Sequence, residues 1–372
     1  MVYLAGDNII TSLGTDTLRV LREIENGKTG ILNNTSYSSI TRAPVSVVDS
    51  QQVTEELNQY FPDQLFTRFE GVALLSLKKV LAAGQVDPSD PRSLFILSTT
   101  KGNIELLKSG ESPSADIFLY TTALKIASLT GFVNKPVVIC NACISGVLAL
   151  IYAQRAIESG RYDHVVVTGA DVISEFIVAG FESFKSMSEQ PCRPFDVKRD
   201  GLSLGEGAGT LLVTKQPGKN MITIVRGASA NDANHISGPS RTGEGLYLAG
   251  KNTLKGESDI DYISAHGTAT PYNDDMESYA IHRLSLSDVP VNSFKGYFGH
   301  TLGAAGIIES ILTKHSMLNN TIYASLGLTE KGTVKAIHAF DKTQDSRLKK
   351  CLKLASGFGG CNAALLLVKN EN

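Results

Sequence analysis

Short runs of β-branched and other apolar residues alternate along this chain with longer stretches of helical character. This alternation constrains the fold more than any other feature of the sequence. Most of the runs are nearly continuous in apolar residues, which indicates strands that are buried on both faces. Strands separated by helices in this way are typical of an α/β protein. The predicted strands are residues 94–97, 137–139, 165–168, 210–214, 222–225, 262–264, 352–355 and 363–368.

Four helices are predicted, and the order of the elements suggests two related halves. The helices are residues 64–83, 144–159, 275–284 and 304–318, and the second is apolar on nearly every side, as expected of a core helix. Each half has a strand, a turn with reactive side chains and then a helix, which suits a duplicated α/β unit. A Gln-Pro-Gly-Lys segment after residue 215 favours a boundary there, with halves at 1–215 and 216–372.

The composition excludes several classes of protein. Of the 372 residues, 42% are apolar and 19% are charged, which excludes a disordered or collagen-like chain. The 35 Lys and Arg residues balance 37 Asp and Glu residues, which argues against nucleic acid as the main partner. No run approaches the ~18 apolar residues of a membrane span, so no membrane association is expected. The first residues contain no basic segment and reach an acid at Asp7, so we expect a cytoplasmic protein without a signal peptide.

Cys140 and Cys143 lie between a predicted strand and the predicted core helix. Five cysteines in a chain without an export signal do not suggest a disulfide framework, and no second pair has the spacing of a zinc site. Cys143 lies at the helix start, where the helix dipole would lower the pKa of its thiol and make it the more reactive of the two. A thioredoxin-like redox pair, or two small core residues, are the alternatives.

Three further segments carry candidate functional residues. His266 follows a predicted strand, at the end where α/β proteins place reactive groups, although it could be a structural loop histidine. His300 lies among glycines and alanines at the start of the helix that carries Glu309, where small residues permit close backbone packing. The glycine-rich segment 356–362 could form an oxyanion hole or a simple hairpin turn.

Taken together, these motifs resemble those of the β-ketoacyl-acyl-carrier-protein synthases, of the decarboxylating Cys-His-His type. NACISG at 141–146 is similar to the nucleophile motif, and AHGTATP at 265–271 to the first histidine motif. KGYFGHTLGAAG at 295–306 is similar to the Lys and second-His motif, and SGFGGCNAALL at 356–366 to the glycine loop. The segment RPFDVKRDGLSLGEGAG at 193–209 resembles a further family signature, and the resemblance extends over residues 2–369.

The resemblance implies a thiolase-type α/β fold, with two similar halves in five αβαβα layers, and an acyltransferase. It implies that an acyl thioester condenses with malonyl-acyl-carrier protein in fatty-acid or polyketide elongation. The partners it implies are acyl carrier protein and a second subunit, in a homodimer or a heterodimer, and it implies no cofactor and no metal. The implied roles are Cys143 as nucleophile, His266 and His300 in decarboxylation, Lys295 and Glu309 as a supporting ion pair, Thr268 and Thr270 as pantetheine contacts, and the backbone N–H groups of Cys143 and Phe358 as the oxyanion hole.

Departures from the family pattern bear on the substrate. Asn141, Ala269 and Cys361 stand where the family has other residues. Thr100 and Lys101 take the place of a glycine-rich turn that lines the family's acyl pocket, and unsatisfied polar groups there would oppose a long saturated chain. We therefore expect Thr100 to contact the substrate and a polyene or polyketide-type acyl group to be favoured.

Two other functions remain open at this stage. The chain could be a non-catalytic partner similar to a chain-length factor, although such partners usually lack the nucleophilic cysteine. It could also be a thiolase-like or initiation-type condensing enzyme, which typically has Cys-His-Asn instead of a second histidine.

Overall fold

A computed structural model describes residues 1–36, 42–107, 114–218, 221–234 and 236–370. The strands are β1 (Val2–Ile10), β2 (Leu32–Ser36), β3 (Arg42–Ser46), β4 (Ser93–Ser98), β5 (Val137–Ile139), β6 (His164–Asp171), β7 (Leu204–Gly205), β8 (Gly207–Thr214), β9 (Ile222–Asn231), β10 (Tyr262–Ser264), β11 (Pro290–Asn292), β12 (Thr321–Ile322), β13 (His338–Ala339), β14 (Gln344–Asp345), β15 (Lys350–Gly357) and β16 (Cys361–Lys369). The helices are α1 (Thr17–Glu25), α2 (Ser50–Leu57), α3 (Arg68–Ala82), α4 (Leu119–Leu129), α5 (Ser145–Glu158), α6 (Glu175–Ser183), α7 (Glu244–Leu254), α8 (Pro271–Arg283), α9 (Lys295–Phe298) and α10 (Ala305–Asn319), with 3₁₀ turns at Ile104–Leu106, Ala115–Ile117 and Leu302–Ala304.

The predicted elements are confirmed, with small shifts at their ends. All eight predicted strands are present, as β4, β5, β6, β8, β9, β10, β15 and β16. The first predicted helix begins at Arg68 rather than at residue 64, because Thr67 and Glu70 form a capping box. The third predicted helix, α8, begins four residues earlier than expected, at Pro271, a residue well suited to the first helical position.

The large sheet joins both halves of the chain. Its strand order is β13-β11-β10-β15-β16-β9-β1-β8-β6-β4-β5. The two halves meet where β1 pairs antiparallel with β9, over only three residue pairs that begin with Val2 and Ile224. The two halves therefore share a continuous hydrogen-bonded sheet, which the strand pattern alone does not predict.

Helices α5 and α10 form the central layer of the molecule. Both contact strands of the first half, such as β6 and β8, and strands of the second half, such as β9 and β16. They approach at glycines: a Cβ atom on Gly146 would lie 2.6 Å from the Ile307 nitrogen, and one on Gly306 would lie 2.5 Å from the Val147 nitrogen. Only glycine permits this backbone contact.

The outer helices complete five layers. Helix α3 covers the other face of the first half, and α7 covers the other face of the second half, with α8 packed beside it. This αβαβα order confirms the predicted thiolase-like fold. The central layer carries both candidate catalytic segments at its helix starts, and so the fold brings residues near 143 and 300 together. Within the described ranges, no helix combines the length and the apolar character needed to span a bilayer.

Candidate active site

Cys143 lies in a tight turn between β5 and α5. Ala142 has a left-handed backbone with φ +44°, which costs a non-glycine residue about 1 kcal/mol or more. The Ser145 hydroxyl donates to the Ala142 carbonyl at 2.6 Å and accepts from the Asn141 N–H at 2.8 Å. These hydrogen bonds hold the turn and leave Cys143 buried, with 8% of its surface exposed.

His266 follows β10 in a loop that two buried carboxylates hold. Glu277 accepts the N–H groups of His266 at 2.7 Å and of Gly267 at 2.5 Å. Asp274 accepts the N–H of Thr268 at 3.0 Å. Burial raises the pKa of Asp274 to about 6 and that of Glu277 to about 7. Both carboxylates belong to α8 and accept hydrogen bonds from backbone N–H groups of the preceding loop. These hydrogen bonds hold the His266 loop in place.

Sequence reasoning did not single out Asp274 and Glu277. The available signal was a pair of carboxylates three residues apart in a helix that starts directly after a candidate histidine loop. Such carboxylates are near enough to accept N–H groups from the residues preceding the helix.

His300 follows α9 and is fixed through its backbone. Its N–H donates to the Ser203 carbonyl at 2.7 Å. The preceding Gly299 has φ +70°, and a Cβ atom there would lie 2.6 Å from the Leu204 carbonyl oxygen. Both ring nitrogens of His300 are buried and have no hydrogen-bond partner among the described residues. A buried imidazole without partners is costly unless a ligand supplies them.

The thiol of Cys143 and the rings of His266 and His300 meet at one point. The sulfur and a ring nitrogen of each histidine all lie within 4.8 Å of one another. The two rings are 5.0 Å apart between centroids and nearly perpendicular. All three residues line a cavity of about 410 Å³. Other predicted site residues that line this cavity are Thr268, Thr270 and Phe358.

The same three side chains are the one group in the described part of the chain whose donors could hold a metal ion. Ligand atoms around tetrahedral zinc are about 3.5 Å apart, so the group would have to contract. Two ammonium groups next to the histidines, described below, also oppose a bound cation. The chemistry of the donor set is better suited to an acyl group and proton transfers.

A buried ion network lies behind His266. Lys295 Nζ donates to Glu309 Oε1 at 2.6 Å and to the His266 carbonyl, and it lies 3.4 Å from His266 Nδ1. The predicted Lys295 and Glu309 side chains thus do meet. Lys353, which sequence reasoning missed, donates to the other carboxylate oxygen of Glu309 at 2.6 Å. The only sequence signal was a lysine within an otherwise apolar strand.

The electrostatics favour neutral imidazoles. Burial, and then the charge of Lys295, lower the pKa of both His266 and His300 well below the usual value, with a further contribution from Lys353. The ammonium of Lys295 faces Nδ1 of His266, so that nitrogen is the acceptor and Nε2 carries the proton. Neutral rings can both donate a hydrogen bond and accept a proton at neutral pH.

The pKa of the Cys143 thiol is raised, whereas the sequence analysis predicted that it would be lowered. Burial, and then the neighbouring Cys361, raise its pKa to about 12. Desolvation is therefore the largest effect on the pKa of this thiol in the free protein. Cys140 is the exposed cysteine of the pair, but it does not line the cavity.

Alkylation of Cys143 is expected to accelerate with pH. A thiol with a pKa of about 12 is a thiolate in a fraction that grows about tenfold per pH unit across the range from about 7 to 10. The rate of iodoacetamide labelling at Cys143, followed by peptide mass spectrometry, should rise accordingly. Cys143→Ala gives the background from the other cysteines. A rate that is already constant above about pH 7 would show that the helix dipole prevails.

The predicted pantetheine and glycine-loop residues lie at the cavity wall. The hydroxyls of Thr268 and Thr270 are 2.8 Å apart. The ring of Phe358 packs between Phe181, at 5.4 Å between centroids, and Phe184, at 5.3 Å. These two aromatic residues at the end of α6 and just beyond it were not predicted, and they also line the cavity.

The glycine loop is a hairpin turn that lies beside Cys143. β15 and β16 pair antiparallel, with Gly357 opposite Cys361. A Cβ atom on Gly357 would lie 3.0 Å from the backbone nitrogen of Cys143. A hairpin turn and an oxyanion hole, the two alternatives for this segment, are therefore compatible. The hairpin turn brings its backbone next to that of Cys143.

The hydroxyl of Thr100 is not an unsatisfied polar group, although the sequence analysis expected one at this turn. Its hydroxyl donates to Asp171 at 2.9 Å, and the Thr99 hydroxyl donates to the same carboxylate at 2.7 Å. Lys101 Nζ is 3.4 Å from the Thr100 carbonyl. The premise that this turn presents unsatisfied polar groups is therefore wrong, and Thr100 is not among the residues lining the cavity. Asp171 also accepts the Gly303 N–H at 2.7 Å, so it ties this turn to the His300 segment.

Fold and site together define a thiolase-like protein with a Cys-His-His centre. The sequence profile of the β-ketoacyl synthase N-terminal domain matches residues 103–217, and that of the β-ketoacyl synthase C-terminal domain matches residues 222–329. A putative mitochondrial 3-oxoacyl-[acyl-carrier-protein] synthase of Schizosaccharomyces pombe is 30% identical over 99% of both chains. The chain belongs to the β-ketoacyl synthase family.

Two further comparisons agree with this assignment. The 3-oxoacyl-[acyl-carrier-protein] synthase 2 of Rhizobium meliloti is 34% identical over 62% of this chain and 59% of its own length. A solved ketosynthase in complex with its chain length factor, from Xenorhabdus doucetiae, superposes with a TM-score of 0.84 at 24% identity. That match covers 99% of this chain and 98% of the other, and it shows the shared fold.

Proposed function

We propose that this protein catalyses the decarboxylative condensation of an acyl thioester with malonyl-acyl-carrier protein, in fatty-acid or polyketide elongation. The observation that carries the proposal is the convergence of the Cys143 thiol with two neutral imidazoles at the wall of one cavity. The names of the relatives support acyl carrier protein as the partner that delivers both substrates.

In the first half-reaction, the Cys143 sulfur attacks the acyl thioester. An imidazole accepts the thiol proton, which then passes to the departing carrier thiolate, so the protons balance. The acyl group remains on Cys143 as a thioester, and this divides a difficult carbon–carbon bond formation into two easier steps. Backbone N–H groups of Cys143 and Phe358 are proposed to stabilise the tetrahedral oxyanion.

In the second half-reaction, the malonyl thioester loses CO₂ and its carbonyl oxygen becomes an enolate. His266 and His300, both uncharged, donate hydrogen bonds to this oxygen. Each preorganised donor of this kind typically contributes about a hundredfold or more in rate. The enolate carbon attacks the acyl-Cys143 carbonyl, the carbon–sulfur bond breaks, and the released Cys143 thiolate takes up a proton.

A second subunit is part of the proposal. Strand β5 ends the large sheet and is hydrogen-bonded on one side only, to β4, and its three apolar residues are only half-buried. The relative from Xenorhabdus doucetiae was solved with a chain length factor. We favour a homodimer, with a heterodimer as the alternative. The division of the chain near residue 215 also stays a proposal, supported by the break between the two matched segments.

Incubation with a panel of acyl-carrier-protein thioesters tests the reaction. The panel contains saturated six-carbon, saturated sixteen-carbon and conjugated polyenoyl chains. Intact-mass analysis should show one acyl group per protein molecule, and no acyl group on the Cys143→Ala variant. Addition of malonyl-acyl-carrier protein should then yield the β-ketoacyl product and CO₂. The acyl chain that is elongated fastest identifies the substrate class.

A protein that is never acylated, alone or with a partner subunit, would contradict the proposed enzyme. That outcome would favour a non-catalytic role similar to that of a chain length factor. A product formed without malonyl decarboxylation would instead indicate a thiolase-like reaction.

A further inference from the structure

Lys353 is a completely buried lysine in the centre of β15, and neither the family resemblance nor the proposed reaction uses it. Its side chain has no exposed surface. Nζ donates to Glu309 Oε2 at 2.6 Å and to the Leu354 carbonyl at 2.8 Å. It also lies 3.1 Å from the Ala265 carbonyl oxygen and 3.3 Å from that of Ser264. A buried ammonium is costly to desolvate, so this position requires an explanation.

The carbonyl groups that Lys353 contacts lead directly to a catalytic histidine. Ser264 and Ala265 precede His266, whose own carbonyl accepts from Lys295. Three consecutive carbonyls are thus held by two ammonium groups, and one carboxylate, Glu309, joins those two groups. On the opposite side of the loop, Glu277 accepts the N–H groups of residues 266 and 267.

We propose that Lys353 is a positioning residue for His266. Together with Lys295 it fixes the loop through the carbonyls of residues 264–266, and its charge keeps the ring a neutral Nε2–H donor toward the substrate. The inference rests on the proposed function, because it concerns the same histidine.

The charge balance around the histidines supports this role. Two ammonium groups share the carboxylate of Glu309, while the carboxylates of Glu277 and Asp274 accept backbone N–H groups of the His266 loop. Lys353 is among the groups that lower the pKa of His266 and of His300. In the described part of the chain, the titratable groups in and around the His266 loop are Lys295 from α9, Glu309 from α10, Lys353 from β15, Asp274 and Glu277 from α8, His300 after α9 and Cys143 before α5.

The test compares Lys353→Met and Lys353→Gln with a matched control. Methionine removes both the charge and the donors, whereas glutamine keeps two N–H donors without a charge. Lys350→Met removes an ammonium from the same strand, where its partners are Glu257 and Asp259 at the surface. For each protein, we would measure malonyl-acyl-carrier-protein decarboxylation against pH, and acylation of Cys143 separately.

The expected result is a shift in the acid limb of the decarboxylation profile. Without the Lys353 charge the histidines protonate more readily, so the limb should move to higher pH, by on the order of one unit, in both variants. Lys353→Met should also lose about tenfold or more in decarboxylation kcat, with KM and Cys143 acylation changed less. Lys353→Gln should retain more of kcat, and Lys350→Met should match the wild type.

The positioning role would be overturned if the acid limb of the decarboxylation profile did not move. It would also be overturned if decarboxylation and Cys143 acylation lost activity equally, which would indicate a purely structural role. If neither variant folds, ¹⁵N NMR of the wild-type histidines decides: His266 should be neutral and protonated on Nε2 at neutral pH. An imidazolium at neutral pH would overturn the inference. A wild-type protein without decarboxylation would instead contradict the proposed function itself.

Discussion

Cys143→Gln is expected to abolish condensation while malonyl decarboxylation continues at the wild-type rate or faster. The variant has no sulfur to accept the acyl group, and loss of a covalent nucleophile typically costs about 10⁴-fold or more. Its amide imitates an acylated thiol beside His266 and His300, so the enolate oxygen can still be stabilised. CO₂ release and intact acyl-enzyme mass, measured separately, distinguish the two half-reactions.

The histidine variants should show the opposite pattern. His266→Ala and His300→Ala should each lose about a hundredfold or more in decarboxylation, because each removes a preorganised donor, while some acyl transfer to Cys143 persists. Cys361→Ala is the matched control for Cys143→Gln, since it removes a thiol next to Cys143 but outside the Cys-His-His group. If Cys143→Gln stops decarboxylation although the protein remains folded, the proposed division of roles is wrong.

Glu309→Ala should cause the largest loss of stability. Glu309 is the shared carboxylate partner of the buried ammonium groups of Lys295 and Lys353, at 2.6 Å each. Removing one partner of a buried ion pair typically costs about 3–5 kcal/mol, and here two charges would be left uncompensated. Since whole domains are stable by only about 5–15 kcal/mol, this loss should be visible as a lower urea midpoint and a lower Tm.

A surface pair provides the comparison. Glu244 contacts Arg283 at 2.7 Å, but both side chains are partly exposed, so Glu244→Ala should change stability by no more than about 1 kcal/mol. Glu309→Gln, which keeps the shape and one acceptor oxygen, should lie between the two. A loss for Glu309→Ala as small as that of the surface variant would show that water reaches the two lysines.

Part of the site was predictable because local sequence pattern encodes it. Cys143 and His266 each lie a few residues beyond the end of a short apolar strand, and His300 lies in a glycine-rich segment before a helix, so their positions follow from element boundaries. The meeting of Lys295 with Glu309 was predicted only through the family resemblance, since 14 residues separate them in sequence. Lys353 shows the limit: in sequence it is one polar residue in an apolar strand, and only the tertiary structure shows its contacts with Glu309 and the His266 loop.

The sequence by itself determined the α/β class, eight of the sixteen strands described, the core helix and the three residues of the Cys-His-His group. These depend on apolar periodicity and on motifs within a few residues, which short-range chemistry controls. Only the tertiary structure decided the raised pKa of Cys143, the neutral state of the histidines and the bonding of Thr100 to Asp171. Those properties depend on burial and on partners far away in the sequence, such as Cys361 for Cys143 and Asp171 for Thr100, and both arise only when the chain packs into its tertiary structure.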